Sequence, residues 1–115
     1  MLAYKYRFHG YNALRFVYKN GDAKRSQHIT MKYVANPRRS SPRAAVVVSK
    51  KIYKKAVGRN RIRRRLYEII RRELPLLKSD VDLVLIVISA EVAVMNHQEL
   101  EDEVRTSLKE AELYK

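Results

Sequence analysis

Cysteine and tryptophan are absent from this 115-residue chain, and glycine and proline occur only three times each. Without cysteine there is no disulfide frame and no thiolate metal site, consistent with a reducing compartment. No linker, internal repeat or second domain is visible. Long apolar runs are missing too. The longest, Val81 to Ile88, is far too short to span a bilayer and contains Asp82. The N-terminal stretch from Met1 to Phe8 is basic and aromatic and lacks the apolar run of a secretory signal. These absences predict a soluble, cytoplasmic protein with no membrane partner.

Acidic residues are the most telling scarcity. Residues 1–79 hold only Asp22, Glu68 and Glu73 against 22 Lys and Arg, whereas residues 80–115 hold nine acids against three basic residues. The net charge is +13. A surface that merely keeps a protein soluble would mix the signs. The separation predicts one face for a polyanion and a C-terminal element kept away from it. At 46% hydrophobic residues and 13.6 kDa the chain is large enough for a core without staples. We read residues 1–115 as one domain, with 1–10 a flexible basic arm.

What is present is concentrated between Lys50 and Arg72, where eleven of 23 residues are Lys or Arg and Glu68 is the single acid. A charge block of this density normally belongs to a disordered tail. Here Ile62, Leu66, Ile69 and Ile70 recur at helical spacing, which predicts a folded helix with one face in a core. Like charge held on an ordered element repels itself, so a polyanionic partner is the natural compensation. The class is nucleic-acid binding.

Around that block, Leu14, Val17 and Tyr18 mark a short amphipathic helix over Tyr11 to Asn20, stopped by Asn20-Gly21. Gln27 to Ala35 alternates as a strand, with Ile29, Met31, Tyr33 and Ala35 on one face. The turn from Asn36 to Pro42 holds two prolines, and Arg43 to Ser49 reads as the returning strand of a hairpin. The second helix starts near Lys55 to Gly58 and ends by Leu74, because Pro75 disfavours helix before it. Val81 to Ser89 reads as a central strand covered on both faces. Asn96 to Glu99 resembles a capping box that opens a final helix bearing Leu100, Val104, Leu108 and Ala111. Helices packed on one sheet follow, in an α+β or α/β arrangement.

The run Ala56-Val57-Gly58-Arg59-Asn60-Arg61-Ile62-Arg63-Arg64 resembles the arginine–asparagine–arginine signature of the bacterial ribonuclease P protein subunit. As in that family, it follows a strand ending in Val48-Ser49-Lys50-Lys51. Upstream, Leu14 to Gly21 is similar to the family's first helix and following glycine. The likeness runs roughly from Arg7 to Lys115. It departs at Leu14, where the family often has Phe, and at Tyr67, where Lys or Arg is common. The resemblance implies an α+β, single-domain αβββαβα sandwich of the ribosomal protein S5 domain 2-like kind. It also implies a left-handed βαβ crossover, against the usual rule, and an extra strand near Asp22 to Ser26 that periodicity does not reveal.

The implied function is that of a protein subunit of ribonuclease P. It would bind the catalytic RNA and the 5′ leader of precursor tRNA and assist endonucleolytic removal of that leader. Catalysis would belong to the RNA, with Mg2+ held mainly there and no DNA partner. The signature helix would dock on the catalytic RNA through Arg59, Asn60, Arg61, Arg63 and Arg64, with Arg65 in the same group. Arginine suits this role because its planar guanidinium forks to phosphate and stacks on bases. Asn60 also suits a plain helix start. Lys50, Lys51, Lys54 and Lys55 link the strand to the helix; a polar loop is the plainer reading, but they extend the same positive surface. A cleft between the first helix and the sheet would hold the leader, with Tyr18, Leu14, Phe16, Lys32 and Thr30 as its candidates.

The rival class is a self-sufficient metal nuclease, which needs several carboxylates converging on a cation pair. The acids available are Asp80, Asp82 and Glu91 around the last strand, plus those of the Glu-rich final helix, which capping and solvation explain better, and His9, His28 and His97 show no ligand spacing. No catalytic residue is assigned. A basic ribosomal protein or other structural RNA-binding module stays open on composition alone, and the signature is what argues against it.

Overall fold

The computed structural model describes residues 2–8, 10–38 and 40–115. Met1 and His9 of the expected arm, and Arg39 of the expected turn, lie outside the described residues. In chain order the elements are α1 (Tyr11–Asn20), β1 (Asp22–Arg25), β2 (Ile29–Ala35), β3 (Arg43–Val47), α2 (Ala56–Glu73), β4 (Val81–Val87) and α3 (His97–Glu110). Short 3-10 turns occupy Tyr4–Tyr6, Leu74–Leu76 and Ala90–Ala93. The strand implied near Asp22 is present as β1, so the order is the expected αβββαβα.

The sheet runs β1-β2-β4-β3. β2 and β3 are therefore not the hairpin that the turn between them suggests. β4 inserts between them, antiparallel to β2 and parallel to β3, and α2 forms the crossover joining β3 to β4. The physical reason lies in β4 itself. Of its seven residues, six are buried, and a strand so apolar is best covered when it has neighbours on both edges as well as both faces.

Register divides the sheet into two faces. Met31, Leu85 and Val46 align across the strands, as do Tyr33, Leu83 and Ala44, and this face meets α2 and α3. Ile62, Leu66, Ile69 and Ile70 join Leu100, Val104 and Leu108 in the main core there, so the helical phase read from the sequence holds. Tyr67, the departure from the family pattern, faces β3, and its hydroxyl accepts the Val46 N–H at 3.2 Å. The other face carries α1, which packs on β2 and β4. Val17 on α1 and Val84 on β4 are both fully buried.

Local chemistry explains the element ends. Gly21 follows α1 in an extended conformation, not a left-handed one. A Cβ there would meet the carbonyl oxygens of Val17 and Tyr33, so close approach, and not backbone handedness, requires the glycine. Gly58 is buried within the first turn of α2 because the Tyr53 ring packs where a Cβ would stand. Asn96 caps α3 as expected, its Oδ1 accepting from the N–H groups of Gln98 (2.9 Å) and Glu99 (3.3 Å). The chain end is tied back too. Tyr114 donates to the buried Glu73 at 2.6 Å, and burial plus that carboxylate push its phenol up to about 12.

Two further expectations from the sequence are corrected by the structure. The described part of the N-terminal segment lies against the sheet instead of standing off as an arm. Leu2 is buried in the main core, Arg7 bridges to Ala44 of β3, and the Phe8 ring covers the Arg43 guanidinium at 4.8 Å. Arg65 leaves the group of outward arginines. Its Nη1 donates to the Val92 carbonyl at 2.7 Å and its Nη2 to the Met95 carbonyl at 2.5 Å. Burial, and then the neighbouring Arg61, lower its pKa. Arg65→Ala is predicted to destabilise by about 1.5–3 kcal/mol, the usual range for hydrogen bonds to a charged group. Urea titration beside Arg64→Ala, which is expected to leave the midpoint in place, checks it.

Candidate nucleic-acid interface

α2 buries its apolar stripe and turns Asn60, Arg61 and Arg64 to solvent, with Arg59 and Arg63 half-buried at its flanks. Arg63 Nη1 donates to Asn60 Oδ1 at 2.6 Å. That bond occupies the amide oxygen and leaves the amide N–H groups of Asn60 as the exposed donors. Val57, Asn60, Arg63 and Arg64 line a shallow depression on the outer surface of the helix. Arg59 has a second task, since its Nη1 donates to the carbonyls of Tyr53 (3.0 Å) and Lys54 (2.6 Å). It thereby holds the lysine-bearing loop against the start of α2. Lys50, Lys51, Lys54 and Lys55 are all exposed along that loop. All nine sequence candidates thus gather on one end of one layer.

The second candidate surface lies on the opposite face of the sheet. Thr30, Ile86 and Val47 align across the strands, and so do Lys32, Val84 and Ala45. Thr30, Ala45, Val47 and Ile86 are only partly buried, so they form a floor beside α1. Leu14 and Tyr18, four residues apart, share the flank of α1 above it. Lys32 Nζ sits 5.5 Å from the centre of the Tyr18 ring. Burial, and then the nearby Tyr11, raise the Tyr18 pKa. Tyr18, Leu14, Lys32 and Thr30 therefore come together. Phe16 does not belong with them. It lies roughly 160° around the helix from Tyr18 and borders Ala35, Asn36, Pro37 and Arg38. Helical phase alone was enough to separate the two aromatics.

Two of the acids proposed for a metal nuclease, Asp82 and Glu91, are already engaged. Asp82 is fully buried and takes two bonds from Arg43, from Nε at 2.9 Å and from Nη2 at 2.8 Å, with Asn36 Nδ2 at 3.1 Å. Glu91 lies 3.0 Å from His28 Nε2, and Glu103 lies 2.7 Å from His28 Nδ1. Carboxylates at both ring nitrogens favour the doubly protonated imidazolium. The Glu103 bond leads in raising the His28 pKa, against burial, and Glu91 adds to it. Burial pushes Glu103 up, but bonds from His28 and Ser26 more than reverse this. Among the described residues no group of three or more His, Cys, Asp or Glu side chains is placed to hold a metal ion. No helix among them is long and apolar enough to cross a membrane.

A family model for ribonuclease P matches residues 2–112, nearly the whole chain. The chain belongs to the ribonuclease P protein family. The ribonuclease P protein component of a Pseudanabaena species is 34% identical, over 84% of this chain and 83% of its own. That of a Cyanothece species is 33% identical over 98% and 97%. A ribonuclease P protein structure from Staphylococcus aureus, a mutant with defective mRNA degradation activity, superposes with a TM-score of 0.83 at 22% identity. It covers 95% of this chain and 90% of that one. The Thermotoga maritima ribonuclease P protein gives 0.75 at 23% identity, over 84% and 89%. At these identities the two structures speak for the α+β fold. As a family member, this ribonuclease P protein is a component of an endoribonuclease of tRNA processing and a partner of that enzyme's RNA.

Proposed function

We propose that this protein serves ribonuclease P through two surfaces on opposite faces of its sheet. The outward side of α2, with Asn60, Arg61, Arg63, Arg64 and the lysine loop that Arg59 holds, docks on the catalytic RNA. The floor beside α1, with Tyr18, Leu14, Thr30 and Lys32, takes the single-stranded 5′ leader of precursor tRNA. The observation that carries this reading is the separation of the two surfaces. A chain that merely coated RNA would have no use for an aromatic–lysine cleft behind its arginine helix. Phosphate contacts on α2 supply affinity without reading sequence. Stacking on Tyr18, with Lys32 beside it, suits an unpaired base of any identity.

The protein's part is positional and electrostatic. Arg43 holds Asp82 and His28 holds Glu91 and Glu103, and no other carboxylates converge among the described residues, so the donor set does not fit a cation pair, and no hydrolytic step is assigned to this chain. Magnesium belongs with the RNA in this reading. In reconstituted holoenzyme, Tyr18→Ala is predicted to weaken precursor tRNA binding by roughly 1–3 kcal/mol, the cost of one lost base stack. Binding of mature tRNA should be unchanged, because it carries no leader. Equal losses for the two ligands would move Tyr18 out of the leader site.

A further inference from the structure

The exposed aromatic residues are not scattered. Tyr4, Tyr11, Phe16 and Tyr18 all fall in the first 18 residues, and Tyr11 is 72% exposed. Residues 1–21 contain four Lys and Arg and no acid. Tyr11 stands two turns before Tyr18 on the same flank of α1, about 10 Å along the axis. Arg15 lies over the Tyr11 ring at 5.8 Å, much as Lys32 lies over Tyr18 at 5.5 Å. Arg7 over Tyr4, at 5.9 Å, repeats the pairing in the segment that leads into the helix. A tyrosine this exposed gains little from folding, and a cation held on its ring answers a phosphate beside a stacked base.

We propose that Tyr11 and Arg15 form a second single-strand step, which continues the RNA path from the Tyr18–Lys32 cleft along the flank of α1. The idea rests on the leader reading above and extends its reach. Taking about 3.4 Å per stacked nucleotide, the two tyrosines are about three nucleotides apart. Leaders that end at the cleft would miss Tyr11, and longer ones would engage it.

The test uses holoenzyme reconstituted with the catalytic RNA and precursor tRNAs whose leaders are shortened one nucleotide at a time. For wild type, affinity should rise in two steps with leader length. Tyr11→Ala should remove the later step, at least about a fivefold loss for long leaders, and leave short leaders unaffected. Arg15→Ala should shrink the same step, and Tyr11→Phe should restore it, since the ring is kept. Thermal melting should be unchanged in all three variants. Loss at every length, or no loss at any, overturns the proposal. Tyr18→Ala separates the layers of the argument. A flat response there sinks the cleft reading together with this one, whereas a clear Tyr18 effect with a silent Tyr11 sinks the extension alone.

Discussion

Asp82→Ala is expected to be among the most damaging single substitutions in this chain, at about 3–5 kcal/mol, the range for removing one partner of a buried ion pair. The Arg43 guanidinium lies with Asp82 on the α1 side of the sheet, both all but fully buried. It has the Phe8 ring against it and both of its carboxylate bonds inside the fold. Removing the carboxylate strands that charge away from water. Since small domains have only about 5–15 kcal/mol in total, a large fraction of the variant would unfold on mild heating. Replacing both partners, as Arg43→Met with Asp82→Leu, should recover much of the loss, because no buried charge is then left alone. Urea midpoints for the single and double variants check this. The same experiment answers the nuclease reading, since holoenzyme activity should fall only with the folded fraction. A fully folded Asp82→Ala protein that has lost activity would contradict the structural role.

Changing both Arg61 and Arg64 to Ala should do the opposite, leaving the fold alone and stripping affinity for the catalytic RNA. Each charge-assisted contact is worth about 1.5–3 kcal/mol, so the pair should cost on the order of 10²-fold or more. The log–log salt dependence should flatten by roughly 0.7–0.9 for each phosphate lost. Melting temperature should hold, because thinning a one-sign surface relieves repulsion. Filter binding across a salt series would give both numbers. Unchanged affinity and slope would remove α2 as the docking helix.

The contrast between those two substitutions shows which parts of this protein are legible in its residues. Arg61 and Arg64 were readable because helical phase is local: Ile62, Leu66, Ile69 and Ile70 define the inward stripe and the rest must face out. The bounds of α1, the strand at Val81 and the Asn96 cap are local in the same sense. Arg65 is not legible in this way, because its partners, the carbonyls of Val92 and Met95, lie some 30 residues away. The hint for Arg43 and Asp82 was present, as single opposite charges within two otherwise apolar strands. Nothing local said that those strands would be neighbours.

The amino-acid sequence by itself determined every helix and strand of the sandwich except β1, which periodicity does not reveal, along with the stripe that each helix buries, the arginine face and the family to which the signature belongs. Periodicity and charge act over a few residues, so they survive being read in one dimension. Only the tertiary structure decided that β4 enters between β2 and β3, because strand order depends on which apolar surface is best covered from both sides. That choice brought Arg43 to Asp82, laid the N-terminal segment against β3 and set Tyr18 over Lys32. It also put the arginine helix and the aromatic flank of α1 on opposite faces of one sheet, a relation that no spacing along the chain encodes.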